Sequence, residues 1–491
     1  MKIVVVGSGF GGLSAAIRLQ AQGHAVTLLE KLDKPGGRAY VFEQDGFTFD
    51  AGPTIITAPW LINELFELAG KKREDYIEFR QLDPFYNIRF EDGTVFRYNS
   101  NRADLNAQVS AFSNGRDVEG YAKFLKGTEA IFKAGMALLD QPFLTVGSMV
   151  KVLPDLVRLR ADRSVAQYVN KFFTDERLKQ VFSFHPLLVG GNPFRSSAIY
   201  ALIHTLEQQW GVWFAMGGTG AIVRALSQLF VDLGGVMRLN CEVASIDVDR
   251  ASKRATGVRL KSGEQIAADI VVCNGDVAQA TRTLLAPEVR AHATNAKIEG
   301  LRYSMSLFVI YFGTDKQYPD TAHHEILMGP RYRELLEDIF ERKILAEDFS
   351  LYLHRPTATD PSLAPPGHDC WYVLSPVPHL GGDVDWERVS QRYRDRIMQY
   401  LEDRYLPGLQ SHIVTERRID PRYFATTLNS YLGSAFGPEP TLLQSAYMRP
   451  HNQSEDVPNL YFCGAGTHPG AGLPGVIASG KIVANLIGSA Q

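Results

Sequence analysis

Lys2-Ile3-Val4-Val5-Val6-Gly7-Ser8-Gly9-Phe10-Gly11-Gly12-Leu13, with Ala25-Val26-Thr27-Leu28-Leu29-Glu30 after it, is the stretch whose reading decides the fold. The β-branched run reads as a buried parallel strand, and Leu13 to Leu19 as the start of a helix that Gly23 breaks. A second apolar strand then ends on an acid. Strand, glycine turn, helix, strand, acid is a complete dinucleotide-binding unit. Gly7 permits the tight turn, Gly9 lets the backbone approach a pyrophosphate, and Gly12 lets helix and strand pack closely. The helix start offers unpaired N–H groups to phosphate. Glu30 can accept hydrogen bonds from both ribose hydroxyls, which favours FAD or NAD over NADP.

Lys31-Leu32-Asp33-Lys34-Pro35-Gly36-Gly37-Arg38 follows at once. It resembles the second dinucleotide signature of the flavoprotein amine-oxidase superfamily, in which such a segment lies along the FAD. At the far end, Asn459-Leu460-Tyr461-Phe462-Cys463 reads as a strand. It runs into Gly464-Ala465-Gly466-Thr467-His468-Pro469-Gly470-Ala471-Gly472-Leu473-Pro474-Gly475-Val476, with a helix expected from Ile477. A second glycine-rich turn thus delivers a helix N-terminus able to stabilise negative charge on a flavin or pyrophosphate.

With 491 residues, 45% hydrophobic and 21% charged, the chain has the composition of a globular protein of two to three domains. A net charge of -3 gives no electrostatic case for nucleic acid. Cys241, Cys273, Cys370 and Cys463 are scattered without CxxC or ligand spacing, so reduced thiols in a cytoplasmic protein are expected, and no metal site. No secretory or plant-type transit pattern is expected in the apolar start, and no apolar run is long enough to span a bilayer.

Between the two glycine turns, Phe47-Thr48-Phe49-Asp50-Ala51-Gly52-Pro53-Thr54 alternates and then turns, ahead of a helix over Leu61 to Ala69. Phe85 to Phe90 and Thr94 to Tyr98 pair around Asp92-Gly93 as a hairpin. Val118 to Lys179 reads as mostly helical. Within it, Phe143 to Arg163 carries Leu144, Val146, Met149, Val150, Val152, Leu153, Leu156, Val157 and Leu159 beside Lys151, Arg158, Arg160 and Arg163. Two readings fit: an interfacial segment on an anionic bilayer, or a core helix with a solvated basic face. Pro154 argues against one straight helix. A helix over Ala221 to Leu233 and strands at Gly234 to Leu239, Cys241 to Ile246, Gly257 to Leu260 and Ile270 to Asp276 return the chain to the nucleotide fold. Leu307 to Phe312, Phe349 to Leu353 and Cys370 to Leu374 read as a second, aromatic-rich sheet, suited to an apolar tunnel or simply to a core.

Taken whole, the chain resembles the bacterial-type phytoene dehydrogenases, carotenoid desaturases of the amine-oxidase-like flavoproteins, and among them the lycopene-forming enterobacterial kind. The resemblance rests on Asn459 to Ser479, on Arg116 to Tyr121, on Phe182 to His185 with Leu188 to Phe194, and on Gly329 to Leu335. It also takes in Gly433 to Phe436 and Arg449-Pro450-His451-Asn452. It implies an α/β fold: a Rossmann-like FAD-binding domain (residues 1–78, 210–285 and 441–491), a substrate domain on a second mixed sheet (79–117 and 286–440), and a helical membrane-facing region (118–209). It implies FAD contacts at Gly7, Gly9, Phe10, Gly11, Gly12, Glu30, Lys31, Gly36, Gly37, Arg38, Gly52, Pro53, Thr54, Val243, Asn274, Gly464, Gly466, Thr467, Gly475 and Val476. Thr54 would neighbour the flavin ring and Val243 the adenine. His468 is the candidate proton acceptor, with a structural hydrogen bond as its other reading.

The implied reaction moves hydride from an allylic carbon of phytoene, and of partly desaturated carotenes, to flavin N5 with loss of a neighbouring proton. Oxygen or a membrane quinone would reoxidise the flavin, and the protein would sit peripherally on the cytoplasmic face of the cell membrane. Desaturases of diapophytoene or hydroxyneurosporene and carotene isomerases share these motifs. The Rab escort and GDP-dissociation-inhibitor proteins share the fold without a working FAD site.

Overall fold

The computed structural model describes residues 1–113 and 115–490, with every side chain among them except that of Leu156. The opening run forms strand Lys2–Val6, helix Phe10–Ala21 and strand Ala25–Leu29. These belong to a five-stranded parallel sheet in the order Leu460–Phe462, Ile270–Cys273, Lys2–Val6, Ala25–Leu29, Val236–Arg238. Helices cover the sheet, so its inner strands are apolar on both faces: Ile270–Cys273 is buried at every position. Strands from the beginning, middle and end of the chain thus meet in one layer. Helix Phe10–Ala21 packs beside helix Leu473–Ile487, and the Ser14 hydroxyl donates to the Ile477 carbonyl at 2.8 Å.

The last helix starts at Leu473, earlier than the expected Ile477, because Pro474 suits a first helical turn, where no N–H is needed. A helix at Arg102–Phe112 was not expected, although Asn101 caps it by accepting from the N–H groups of Ala103 and Asp104. Helices Gly115–Leu138, Val146–Arg158, Val165–Val169 and Glu176–Ser183 follow. The helix over Val146–Arg158 runs on through Pro154, against the break expected there. The expectation for Leu156 lies outside the described side chains.

The second sheet has seven strands in the order Ile413–Ile419, Ser306–Thr314, Asp369–Val377, Leu351–His354, His324–Leu327, Tyr86–Arg89, Val95–Tyr98. Its pairs are antiparallel except for His324–Leu327 with Tyr86–Arg89. The hairpin expected from Phe85 to Tyr98 is therefore one edge of this sheet. The period of two along Ser306–Thr314 decides what each face does. Phe308, Ile310 and Phe312 pack with Trp371, Tyr393 and Ile397 under helix Trp386–Arg404. Leu307 and Val309 face the opposite side, toward the nucleotide sheet. One face of these strands is thus an ordinary sheet core, and the other borders the space between the two sheets.

Asp50 ends strand Phe47–Asp50, which pairs with Val41–Gln44 in a separate two-stranded sheet. Its carboxylate accepts from the N–H groups of Thr219 and Gly220 at the start of helix Thr219–Asp232. Burial pushes this carboxyl up to about 6, against the pull of those two donors.

Candidate active site

One cavity of about 640 Å³ lies between the sheets. Every residue singled out above lines it except Gly12 and Thr467, which stand directly behind its wall. A Cβ on Gly12 would lie 2.0 Å from the Gly7 carbonyl oxygen, so glycine is required for the helix to sit this close to the turn. Gly52 is held to the same rule by the Arg38 carbonyl oxygen, 1.9 Å from where its Cβ would stand.

Glu30 ends the second strand as a buried carboxylate. Its Oε2 accepts from the Ser8 N–H at 3.0 Å and the Ser8 hydroxyl at 2.6 Å, and its Oε1 accepts from the Leu32 N–H at 3.0 Å. Carboxylate oxygens take more than one donor each, so capacity for ribose hydroxyls remains. Val243 and Lys31 stand at this same end of the cavity. Burial lowers the Lys31 ammonium from its usual range, opposed by Glu242 and Glu30. Farther in, Arg38 approaches Asp276 at 3.8 Å and donates to the Ser430 hydroxyl at 2.9 Å, while its Nε has no partner among the described residues. Burial raises the Asp276 carboxyl, and Arg38 pulls it back. Asn274 is wedged between the two glycine turns, in contact distance of Gly9, Gly11 and Gly464.

The C-terminal turn is held from behind. Arg449, fully buried, donates to the carbonyl oxygens of Thr467, Gln444, Pro438 and Ala465. Asn452 Nδ2 lies in hydrogen-bonding range of Phe462 O, His468 O and the hydroxyls of Thr467 and Ser479. Thr467 is thus part of the scaffold.

His468 is buried, with its Nε2 at 3.1 Å from the Leu138 carbonyl and Phe143 edge-on at 4.8 Å. Burial pushes it down to about 4, so near neutrality it is an uncharged imidazole. A carbonyl only accepts, so Nε2 carries the hydrogen and Nδ1, which has no partner among the described residues, keeps its lone pair. Thr54 Oγ1 sits between two phenols, 2.7 Å from Tyr352 and 3.0 Å from Tyr372.

Away from the glycine turns the walls become apolar, with Leu187, Leu307, Val309, Leu335 and Leu374 among them. Met149 and Val152 carry the lining out to helix Val146–Arg158. That helix has Val146, Val150, Leu153 and Val157 exposed, each by more than half. Their spacing puts them on one stripe, the reverse of a core helix with a solvated polar face. Met448 is also exposed, at 52%, in the turn that packs against this helix.

Residues 10–488 match the family described as flavin containing amine oxidoreductase. The chain belongs to this family. It is 52% identical to a lycopene-forming phytoene desaturase of Pseudescherichia vulneris over 488 residues, covering 99% of each chain. It is 51% identical to one of Pantoea ananas, covering 98% of each. Identity to a neurosporene-forming phytoene desaturase of Rhodobacter capsulatus is 44%, over 99% of this chain and 94% of the relative. Among solved structures, an oxidoreductase of Methanosarcina mazei superposes with a TM-score of 0.68 at 17% identity, covering 99% of this chain and 100% of that one. A putrescine oxidase superposes at 0.63 and 14%, covering 99% of each. The fold is that of the amine-oxidase-like flavoproteins, with an FAD-binding parallel sheet and a second mixed sheet.

The residues of this flavoprotein fit FAD. The glycine contacts leave backbone rather than side chains on the cavity wall, Glu30 is placed for a ribose, and Arg38 holds an unpartnered Nε. Sequence reasoning passed over Ser8, Asp276, Tyr352 and Tyr372. Asp276 was in view as the polar exit of its strand, and the two tyrosines lie in strands read only as aromatic. It also found no metal-type constellation, whereas the fold gathers His323, His324 and His354 beside Tyr352.

Proposed function

We propose that this protein is an FAD-dependent carotenoid desaturase that converts phytoene stepwise to lycopene. The observation that carries the reading is the continuity of one cavity, from the dinucleotide cradle at Gly7 and Glu30 to the apolar walls at Leu307 and Leu335 and on to Met149 and Val152. A polyene hydrocarbon has no polar group to grip, so its affinity comes from apolar area removed from water, at about 25 cal/mol per Å². Walls of this kind suit such a molecule and exclude water from the reacting carbons. Identity that falls from the lycopene-forming relatives to the neurosporene-forming one supports lycopene as product. Non-catalytic carriers of the same fold are disfavoured by the intact glycine turns and Glu30.

Bound FAD supplies the acceptor for the hydrogen and electron pair taken from an allylic carbon. The chain contributes position. Gly7, Gly9, Phe10 and Gly11 would hold the pyrophosphate together with Asn274, Gly464 and Gly466. Glu30, Lys31 and Val243 would hold the adenosine end. Gly36, Gly37, Arg38, Gly52, Pro53, Thr54, Gly475 and Val476 would hold the rest of the cofactor. His468 is neutral and anchored on Leu138, with its Nδ1 lacking a partner among the described residues.

The substrate is insoluble in water, so delivery from a lipid surface is part of the proposal. Among the described residues no helix is long and apolar enough to cross a membrane. The exposed stripe of Val146–Arg158, with Lys151 and Arg158 beside it, suits a peripheral contact on anionic lipid at the cytoplasmic face. Oxygen or a membrane quinone would take the electrons.

Purified protein incubated in air with FAD and phytoene-loaded liposomes should form a coloured polyene whose band positions count the double bonds made. Omitting FAD should abolish the colour. A yellow, folded protein that leaves phytoene colourless would contradict the substrate. A colourless protein that still binds isoprenoid would contradict the enzyme.

A further inference from the structure

Each double bond made in an apolar cavity releases a proton that must leave it. The carbon next to the one that yields hydrogen and its electron pair loses a bare proton, and the electron pair of that C–H bond closes the new double bond. His468 can accept a proton, but its Nδ1 has no onward partner among the described residues. Elsewhere on the cavity wall a chain of partners leads outward.

Tyr352 lines the cavity next to Thr54, and its hydroxyl is 2.6 Å from His324 Nδ1. His324 Nδ1 is 3.2 Å from His354 Nδ1. Two such nitrogens share one hydrogen, so one ring donates and the other accepts. Nitrogens of His323, His324 and His354 all lie within 4.8 Å of one another, a span one water bridges. His323 Nδ1 is then 2.6 Å from the Thr359 hydroxyl, and Thr359 is only half-buried, beside exposed Ala358. The three rings are buried, yet the Nε2 atom of each lacks a partner among the described residues. Three orphaned ring nitrogens in one core are costly and call for a use.

The charged groups nearby are already committed. Arg355 is paired with Asp369 and donates to the Tyr318 carbonyl, and Glu325 is held by Arg89. Among the described residues no carboxylate hydrogen-bonds to any of the three rings. Burial, with the neighbouring rings and Arg355 adding to it at His323, keeps the imidazoles unprotonated.

We propose that Tyr352, His324, His354, His323 and Thr359 form the proton exit from the substrate cavity, with Tyr352 as the group that meets the departing proton. The inference rests on the desaturase reading. The proton passes to the Tyr352 oxygen as the phenol hydrogen moves to His324 Nδ1. His354 Nδ1 donates toward that same nitrogen, so His324 gives up the hydrogen on its Nε2 to a water bridging the cluster; His323 takes a proton at Nε2 and passes its Nδ1 hydrogen to Thr359 and on to water, so that every group recovers its starting charge and the rings turn to recover their tautomers. A divalent ion on the three histidines is the competing use. The ring nitrogens lie close enough for an ion to hold them, but among the described residues no carboxylate hydrogen-bonds to the cluster, and the metal content measured below decides between the two uses.

The test takes flavin-loaded protein, phytoene-loaded liposomes and no oxygen, and follows bleaching of the flavin band in H2O and D2O. Wild type should bleach with a solvent isotope effect. Tyr352→Phe and His324→Phe should slow bleaching by about a hundredfold or more and remove that effect, with flavin content and melting temperature retained. His468→Asn should leave the solvent isotope effect in place. Histidine-15N spectra of the same proteins read the chain without turnover: wild type should show neutral imidazoles of both tautomers, and Tyr352→Phe should shift the His324 signal. Variants that bleach at the wild-type rate would overturn the relay, as would a stoichiometric metal lost on His324→Phe, or loss of the isotope effect in His468→Asn. Should His324→Phe fail to fold, Tyr352→Phe, which removes one oxygen, decides alone. Wild type that stays yellow overturns the desaturase reading and the relay with it, whereas a relay failure leaves wild-type bleaching intact.

Discussion

A single residue, Arg449, shows how this molecule holds its cofactor turn. A fully buried guanidinium with no carboxylate partner among the described residues is costly, and burial lowers its pKa from the usual range. It is kept because it satisfies four carbonyl oxygens of the loop that ends at His468 and of the segment before it. Arg449→Met keeps the volume and removes the donors. We expect a loss of about 3 kcal/mol or more in stability, with the flavin lost on gel filtration. Denaturant unfolding and the ratio of flavin to protein absorbance would check it, and a variant that stays yellow and stable would refute the bracing role. The glycines and Glu30 were legible in the sequence because each does a job set by covalent geometry within a few residues of itself. Arg449, Asn452 and Asp276 were not, since their partners come from distant parts of the chain. The resemblance pointed to Arg449 and Asn452 without giving the reason.

At the scale of elements, the helix Val146–Arg158 carries the clearest prediction. Its cavity face holds Met149 and Val152, while Val146, Val150, Leu153 and Val157 are exposed. Replacing Val150 and Leu153 by Asp should weaken binding to anionic liposomes by about tenfold or more, given ~1.5–3 kcal/mol for each buried aliphatic side chain. The melting temperature should hardly move, because both side chains are solvated in the free protein. Flotation assays would show it, and unchanged flotation would remove the membrane role of this helix. Sequence pattern left two readings of this segment open because amphipathicity gives a face but not what the face meets. The sheet strands were legible where apolar alternation was strong, as at Ser306–Thr314. Ile413–Ile419 escaped notice because it is an edge strand carrying Glu416, Arg417 and Arg418. His324–Leu327 escaped because it begins with His and Glu that the fold then buries.

At the scale of the whole molecule, buried neutral histidines set the response to acid. His354 is pushed down to about 3 and His379 and His468 to about 4, while His204, His323 and His324 lie well below the usual range, all chiefly by burial. Each takes up a proton on unfolding once the pH is below its unfolded value near 6.5. Stability is therefore fully present above that value and lost as pH falls toward the folded values, at about 1.4 kcal/mol per pH unit for each proton taken up. Asp50 works the other way: raised to about 6, it binds its proton in the folded state first and offsets one proton between about pH 4 and 6. Melting temperature should fall steadily from pH 7 to pH 5, with net proton uptake on unfolding. A flat profile over that range would contradict the burial of these rings.

The same layering, a cofactor sheet and a substrate sheet closing on one cavity, is the central claim, because it puts an electron acceptor and an apolar chain in one dry space. Anaerobic addition of phytoene-loaded liposomes to the flavin-loaded protein tests it most directly, read as the flavin's visible band. The account predicts that the band bleaches while a longer polyene absorption rises, one flavin reduced for each double bond formed. A flavin that dithionite reduces but phytoene leaves yellow would contradict it.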